Sequence, residues 1–498
     1  MFNDGVNVDQ QRGPGNLLIE HFRCPENGID LAVSEDLSVE SGYFRFGADA
    51  VCFGQSKSAI ATPAVTDVLY DSRQDVSTVD GKVQLPFDPV QVVDNLRNER
   101  YKRNLSSDRK EIDANSLIRQ IYYFVRPLMP VTVRKHLQRK YFRGWETIPF
   151  PRWPVDFSTE RLFEQLLIVS MNAQGIKSLP FIWFWPEGAP SCAIMTHDVE
   201  TAAGRDFCSQ LMDLNDSFGI KSAFQIVPER RYGVPQDLLD AIRARGFELN
   251  VHDLNHDGHL MKSRKEFLRR SAQINQHGRR FQASGFRSAM LHRNLEWYDA
   301  LDFSYDMSVP NVAHLDPQRG GCCTVFPFFN GKLLELPVTM IQDYSLFHIL
   351  QDYTLDRWKQ QIELIMENHG LMNFIVHPDY IRGARERGVY ESLLNYLRSL
   401  QTEEGIWVAL PREVDHWWRE RSKMKLVEDA DGWRIEGQGH ERARIAYAHE
   451  DGGRLSFRLG EQPRVEPGST KLQDGTAQTS ERYAQQVSGF ARSLPRMH

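Results

Sequence analysis

The chain has 498 residues, of which 41% are hydrophobic and 25% charged, and its formal net charge is −6. These values are typical of a soluble globular protein with about two to four domains, and the acidic balance argues against a nucleic-acid binder that works by neutralising phosphates. No stretch approaches the roughly 18 unbroken apolar residues of a transmembrane segment. The six cysteines contain no CxxC spacing, and the first residues show no basic start followed by an apolar core. We therefore expect a cytoplasmic protein with reduced thiols.

Residues 1–185 are predicted to form a mixed α+β accessory region. A strand-like segment, SGYFRFGADAVCFG, is followed by helices predicted around 88–104, 112–143 and 158–174. The basic and aromatic stretch 121–145 has the composition of a membrane-surface or anionic-glycan contact. Because two prolines interrupt any long amphipathic helix there, a helix pair packed on the next domain is the favoured interpretation.

Between residues 190 and 420, short apolar runs alternate with amphipathic helix patterns, which is the rhythm of a parallel sheet surrounded by helices. Eight runs are predicted as strands: CAIMTH (192–197), SAFQIVP (222–228), FELNVH (247–252), SGFRSAM (284–290), FSYDMSV (303–309), LLELPVTMI (333–341), LMNFIVH (371–377) and IWVAL (406–410). Several of the intervening helix patterns end at glycine, a common C-terminal stop. The pattern predicts an α/β fold with an irregular or incomplete (β/α) barrel, and an open doubly wound sheet is the alternative.

The C-terminal part divides into two segments. Residues 425–460 alternate like a small β module, in which DGG (451–453) is predicted as a hairpin turn. Residues 461–498 are polar with scattered apolar residues, so this tail is predicted to be disordered.

Ionisable residues stand at the ends of five predicted strands. These residues are Asp198 and Glu200 after the first strand, His252 and His256 at the third, Arg287 at the fourth, Asp306 at the fifth and His377 at the seventh. The C-terminal ends of barrel strands meet on one face and carry the chemistry of such barrels. His252 and His256 are four residues apart, so one helical turn would bring both imidazoles to one side.

These residue types fit metal-assisted hydrolysis. Two histidines and one carboxylate leave an open position on zinc for a water molecule, and the same set suits iron(II). A second carboxylate can take a proton from that water, and a histidine opposite can give one to a leaving group. Arg287 and Asp306 would then orient the base and the acid. His259 is a spare candidate ligand, and each residue taken alone also has an ordinary structural explanation, such as a helix cap or an ion pair.

The ordered set resembles the NodB-homology polysaccharide deacetylases, carbohydrate esterase family four, over roughly residues 190–410. THDVE (196–200) stands in the place of the family's first motif and HDLNH (252–256) in that of the second. The residues at the third, fourth and fifth motifs are Arg287 in GFRSAM, Asp306 in YDMS and His377 in IVHPD. The resemblance implies a distorted (β/α) barrel, catalysis by Asp198, His377, Arg287 and Asp306, and a divalent metal on Glu200, His252 and His256.

By this resemblance, the expected activity is removal of an acetyl group from an N- or O-acetylated sugar or polysaccharide precursor, with zinc as the expected metal and cobalt, iron or nickel as alternatives. Val199 separates the two acidic residues that are adjacent in the family, so the reverse assignment, with Asp198 as the metal ligand and Glu200 as the base, stays open. The family's tryptophan after the fourth-motif aspartate is absent. Two other functions stay open: a related C–N hydrolase acting on a non-sugar amide or cyclic ureide, and an inactive barrel that serves as a binding or scaffold protein. The sequence leaves the oligomeric state open.

Overall fold

The computed structural model describes residues 13–460, except for residues 28, 58–60, 80–81, 104–136, 138 and 431. The helix predicted at 112–143 lies mostly outside the described residues, and the predicted disordered tail at 461–498 lies wholly outside them. Within the described part, no helix combines the length and the apolar character that crossing a membrane requires.

The secondary structure begins with a mixed region and continues with alternating strands and helices. The helices are α1 (Pro14–Phe22), α2 (Pro89–Arg97), α3 (Ser158–Ala173), α4 (Ala202–Ser217), α5 (Gln236–Ala244), α6 (Arg264–Phe281), α7 (Asp356–Glu367), α8 (Ala384–Glu403) and α9 (Pro411–Arg421). The strands before residue 190 are β1 (Leu31–Val33), β2 (Leu37–Arg45), β3 (Val51–Lys57), β4 (Ser77–Val79), β5 (Lys82–Leu85) and β6 (Ser178–Ile182). The central strands are β7 (Cys192–Val199), β8 (Ala223–Ile226), β9 (Glu248–His252), β10 (Gly285–Arg287), β11 (Tyr305–Asp306), β12 (Phe328–Asn330), β13 (Leu333–Glu335), β14 (Leu371–Ile375) and β15 (Trp407–Ala409). The last strands are β16 (Lys425–Asp429), β17 (Gly432–Glu436), β18 (Ile445–Asp451) and β19 (Arg454–Leu459).

Each of the eight predicted central runs contains a strand, and these strands share one sheet with β12. The order follows the chain from β7 through β8, β9, β10 and β11 to β13, while β14 and β15 return to pair with β7. All of these ladders are parallel except that between β12 and β13. The strand order therefore runs in one direction from β7 to β13 and then returns to β7, which is consistent with the predicted incomplete (β/α) barrel.

The sheet is a curled half-barrel with a gap between β13 and β14. No backbone ladder spans this gap in the part of the chain that the structure describes. Individual hydrogen bonds cross it instead. The Thr339 hydroxyl donates to the Leu371 carbonyl (2.6 Å) and accepts from the Asn373 amide (2.9 Å), and the Met340 amide donates to the Asn373 carbonyl (3.4 Å). The two edges are therefore close to each other, although they do not form a closed β-ladder.

Local sequence signals set the helix ends around this sheet. The Thr201 hydroxyl accepts a hydrogen bond from the Gly204 amide and caps α4, and Ser263 caps α6 in the same way through the Glu266 amide. Gly246, with φ of 78°, follows Arg245, the residue that caps the C-terminus of α5. These caps fix where each helix begins and ends, and hence the lengths of the loops that reach the strand ends.

The N-terminal region packs against the half-barrel through a continuous hydrophobic core. Phe22, Phe44 and Phe163 from this region belong to the same buried cluster as Phe286 and Trp358 of the half-barrel. The predicted N-terminal strands are present as the antiparallel pair β2–β3, and the predicted helices at 88–104 and 158–174 correspond to α2 and α3. The division at residues 185, 190, 420 and 425 into separate domains stays a prediction.

The C-terminal strands form two hairpins. β18 and β19 are joined at Gly452 and Gly453, whose φ values of 59° and 84° suit a two-residue hairpin turn, as the DGG sequence predicts. β18 also pairs with β6 from the N-terminal region, so this hairpin is one part of a three-stranded sheet. β16 and β17 form a separate pair.

Candidate functional site

The carboxyl ends of the central strands bring the predicted site residues together. His252 on β9 and Arg287 on β10 are direct partners in the parallel ladder. Asp198 lies near the end of β7, Glu200 follows that strand, and His377 follows β14, the strand on the other side of β7. All five side chains are buried or nearly so, which concentrates ionisable groups at one edge of the sheet.

Glu200, His252 and His256 form a cluster whose ligand atoms all lie within 4.8 Å of one another. The Glu200 Oε1 atom is 2.8 Å from His256 Nε2 and 3.6 Å from His252 Nε2. Both Nε2 atoms are buried, and neither makes a hydrogen bond of acceptable geometry to a protein group. Two imidazole nitrogens and a carboxylate that converge this closely, without a hydrogen bond of acceptable geometry, fit a shared cation better than a purely structural role.

The backbone around the two histidines differs from the expected helical turn. The segment 253–257 is an irregular loop, in which Asp253 and His256 have φ values of 57° and 51°. Non-glycine residues rarely adopt this left-handed conformation, and such strain is concentrated at functional sites. The loop still brings the two imidazole rings to a centroid distance of 5.0 Å.

Arg287 contacts both the carboxylate and the first histidine. Its Nη1 atom donates to Asp198 Oδ1 (2.6 Å) and to the Thr196 hydroxyl (2.8 Å). Its carbonyl accepts from the Asp253 amide (2.8 Å) and lies 3.2 Å from His252 Nδ1. A proton on His252 Nδ1 would leave the Nε2 lone pair facing the cluster, which is the state that a metal ligand needs.

Asp198 is the second carboxylate of the site. Its Oδ1 atom is held by Arg287, and its Oδ2 atom lies 3.7 Å from His252 Nε2. Burial alone would raise the pKa of Asp198, but the Arg287 guanidinium, together with His252 and His377, outweighs burial and holds this pKa below its usual value. Asp198 is therefore ionised and has one oxygen directed towards the candidate metal ligands.

His377 lies beside Glu200 and is held by Asp343. The Nδ1 atom and the backbone amide of His377 each lie 2.7 Å from a carboxylate oxygen of Asp343, and its Nε2 atom lies 3.5 Å from Glu200 Oε1. Burial lowers the pKa of His377, but Asp343 and Glu200 together raise it well above its ordinary value. This imidazole is therefore protonated near neutral pH, as a general acid must be.

The prediction that Asp306 orients His377 is wrong, because Asp343 occupies that position. Asp306 accepts hydrogen bonds from the amide and the hydroxyl of Ser308 (2.9 and 2.7 Å) and is the ladder partner of Glu335. The signal was present in the sequence, since Asp343 comes just after the sixth apolar run, as Asp198 comes just after the first.

Two other histidines near the motifs lie outside the cluster. His197 Nδ1 lies 3.0 Å from the Val376 carbonyl and its Nε2 accepts from Asn215, and burial lowers its pKa to about 4. It is therefore a neutral core residue. His259, the spare candidate ligand, is exposed and pairs with Asp257.

Comparison with known proteins identifies similar solved structures. No protein-family model and no curated protein sequence matches the chain. A protein from Mycobacterium smegmatis assigned as a polysaccharide deacetylase is 15% identical, with 48% of this chain and 93% of that chain covered and a TM-score of 0.40. The peptidoglycan deacetylase PdaC from Bacillus subtilis is 12% identical, with 45% of this chain and 90% of that chain covered and a TM-score of 0.30. The allantoinase PuuE is 12% identical, with 47% of this chain and 92% of that chain covered and a TM-score of 0.39. The structures matched thus include polysaccharide deacetylases, the family that the motifs resemble; the function proposed below rests on the site geometry.

Proposed function

We propose that the chain is a metal-dependent hydrolase that removes an acetyl group from an N- or O-acetylated sugar or a polysaccharide precursor. The observation that carries this proposal is the convergence of Glu200, His252 and His256, with both histidine Nε2 atoms buried and without a hydrogen-bond partner of acceptable geometry. The cluster adjoins a carboxylate fixed by Arg287, which lies 3.7 Å from His252, and an imidazole fixed by Asp343, which lies 3.5 Å from Glu200. A metal site flanked by a base and an acid is the constellation that acyl hydrolysis requires.

Glu200, His252 and His256 would hold the metal. Two imidazoles and one carboxylate favour zinc, with cobalt, iron and nickel as alternatives. When bound, such an ion activates a water molecule and polarises the acetyl carbonyl. The ligand His252 is itself oriented by a neighbouring group, because the Arg287 carbonyl lies at His252 Nδ1 and keeps the imidazole ring in place.

Asp198 is the proposed base. Its Oδ1 atom is neutralised by Arg287, so Oδ2 is the oxygen available to accept the proton of the attacking water. The low pKa keeps this carboxylate ionised before reaction, and the fixed guanidinium prevents the side chain from turning away. Thr196 accepts a hydrogen bond from the same guanidinium nitrogen, which adds a second constraint on its position.

His377 is the proposed acid. Asp343 is bonded to its Nδ1 atom, so the proton available to a leaving group is the one on Nε2, which faces the cluster. In deacetylation the bond between the acetyl carbon and the sugar nitrogen or oxygen breaks, and that nitrogen or oxygen takes the proton from His377. The products are acetate and a free amine or hydroxyl.

The test combines metal analysis with a substrate panel. We expect about one zinc ion per chain in the wild type and in the control His259→Ala, and loss of metal in His252→Ala. The zinc-loaded protein should release acetate from N-acetylated or O-acetylated sugars but not open cyclic ureides. Ureide hydrolysis alone would assign the site to a related C–N hydrolase, and a protein that binds no metal and turns over neither class would be a binding protein.

The predicted cytoplasmic location is part of the proposal and is supported by six free, buried cysteines.

A further inference from the structure

The turn after β10 has a strained backbone, which contacts with neighbouring residues must stabilise. Met290 and Leu291 are consecutive residues with φ values of 56° and 50°, in the left-handed region. Neither residue is a glycine, so both carry a steric cost that persists only where the surroundings fix the backbone. This turn begins three residues after Arg287, which orients both Asp198 and His252.

A buried ion pair with the N-terminal region holds the turn. Arg293 Nη1 donates to the Leu291 carbonyl (2.8 Å), and its Nε atom donates to Glu99 Oε2 (2.9 Å). The Glu99 and Arg293 side chains are only 4% and 1% exposed. Glu99 is itself fixed, because its Oε1 atom accepts from the Gly321 amide at 2.6 Å. A carboxylate that lies two residues after α2 therefore anchors a turn of the half-barrel.

The same turn lies against the loop that carries His256. The methyl carbon of Met290 is so close to Gly258 that a Cβ atom built on this glycine would lie 2.6 Å from it. Gly258 has a φ of 76° and is two residues after His256, whose own φ is 51°. A shift of the Met290 side chain would remove the contact that covers this strained loop.

We propose that Glu99 and Arg293 are positioning residues for the metal ligand His256, acting through the Met290–Leu291 turn. Glu99 fixes Arg293, Arg293 fixes the Leu291 carbonyl, and Met290 then presses on the loop at Gly258. The accessory N-terminal region thereby takes part in metal binding without contributing a ligand. This inference rests on the metal site of the proposed function and extends it to residues far away in the sequence.

The experiment measures metal affinity, which does not depend on turnover. Zinc dissociation constants are obtained by competition with a chelator for the full chain and its variants, and the cobalt-substituted proteins are compared by their visible absorption. Glu99→Gln and Arg293→Met should each weaken zinc binding by about 10- to 100-fold and alter the cobalt spectrum, the range typical of residues that orient metal ligands. Met290→Ala should do the same with the ion pair intact, while Met290→Leu should retain near wild-type affinity.

Arg421→Met is the matched control. Arg421 is another buried arginine that holds the N-terminal region. It donates hydrogen bonds to the carbonyls of Trp183, Ile182 and His21 (2.9, 2.6 and 3.0 Å). Its substitution should lower the unfolding temperature but leave zinc affinity within about twofold, since Arg421 acts on no metal ligand.

Three outcomes would overturn the inference. These are unchanged zinc affinity in Glu99→Gln and Met290→Ala, an equal loss in Arg421→Met and Arg293→Met, or a wild type that binds no metal. If Arg293→Met fails to fold, the difference in zinc affinity between Met290→Ala and Met290→Leu tests the inference. A wild type that binds zinc and shows the predicted variant pattern, but hydrolyses no acetylated substrate, would refute the proposed function and leave this inference intact.

Discussion

Replacing Asp343 by asparagine isolates the acid half of the site. Asp343 accepts hydrogen bonds from the Nδ1 atom and the backbone amide of His377, both at 2.7 Å, and from the Tyr344 amide at 2.7 Å. An asparagine amide has one acceptor oxygen, so its NH₂ group would face one of these donors. We expect the imidazole to avoid this clash by losing its proton from Nδ1 or by turning away from the cluster.

The size of the effect follows from the protonated fraction of His377. Burial lowers the pKa of His377 and the Asp343 carboxylate is the largest influence that raises it, so removing this charge leaves burial more nearly dominant. With the pKa lowered in this way, most of the imidazoles at position 377 are unprotonated at neutral pH. That predicts a loss of about 10²-fold in kcat for an amide at pH 7, at the lower end of the roughly 10²–10⁴-fold contribution of a general acid.

The assay compares two leaving groups at several pH values. Acetate release from an N-acetylated sugar requires protonation of the leaving nitrogen, whereas 4-nitrophenyl acetate has a good leaving group and should lose less than about threefold. The amide defect of Asp343→Asn should shrink as the pH falls, because a lowered pKa restores the acid only at lower pH. Zinc content is measured for every variant. Asp306→Asn is the matched control, because Asp306 is a buried aspartate that bonds Ser308 and not His377.

Two results would refute this reasoning. An equal loss on amide and ester, with zinc retained, would give Asp343 a role in metal or substrate positioning rather than in proton donation. A selective amide defect in Asp306→Asn but not in Asp343→Asn would restore the assignment made from the sequence.

Three further variants test the base, a buried carboxyl and a close backbone approach. Asp198→Asn should retain zinc and lose roughly 10²–10⁴-fold in turnover, whereas loss of zinc there with retention in Glu200→Gln would show that the two roles are reversed. Burial raises the pKa of Glu160 to about 7, so its contribution to stability is complete below the unfolded-state pKa of about 4.5 and is lost as the pH rises from there through 7, by about 3 kcal/mol. Urea unfolding should therefore find Glu160→Gln more stable than the wild type at pH 8 and equal to it near pH 4.5; a constant difference across this range would contradict the assignment. Gly285→Ala should destabilise the fold by about 2 kcal/mol in the same assay, because the new Cβ atom would lie 2.2 Å from the Tyr305 ring; an unchanged midpoint would show that this ring can move.

The parts of the site that the sequence predicted are those encoded within a few residues. His252 and Arg287 lie in apolar runs that fold as parallel strands, and parallel strands place their carboxyl ends at the same edge. Asp198 and Glu200 are placed at this edge for the same reason, because they lie at the carboxyl end of β7. Apolar periodicity and strand direction are local properties, so they predicted that these residues lie near one another, whereas the choice of Glu200, His252 and His256 as metal ligands came from the resemblance to the family motifs.

The sequence by itself determined which segments form strands, where the helices are capped and which ligand types are available, because these depend on neighbouring residues along the chain. Only the tertiary structure decided which aspartate holds His377, since Asp306 and Asp343 both lie near the ends of apolar runs. In the folded chain Asp343 contacts His377, whereas Asp306 contacts Ser308. The tertiary structure also decided that Glu99 holds Arg293, a contact between residues 194 positions apart. No local pattern encodes such a pair, because burial and packing of the whole core bring the two charges together and exclude the water that would otherwise separate them.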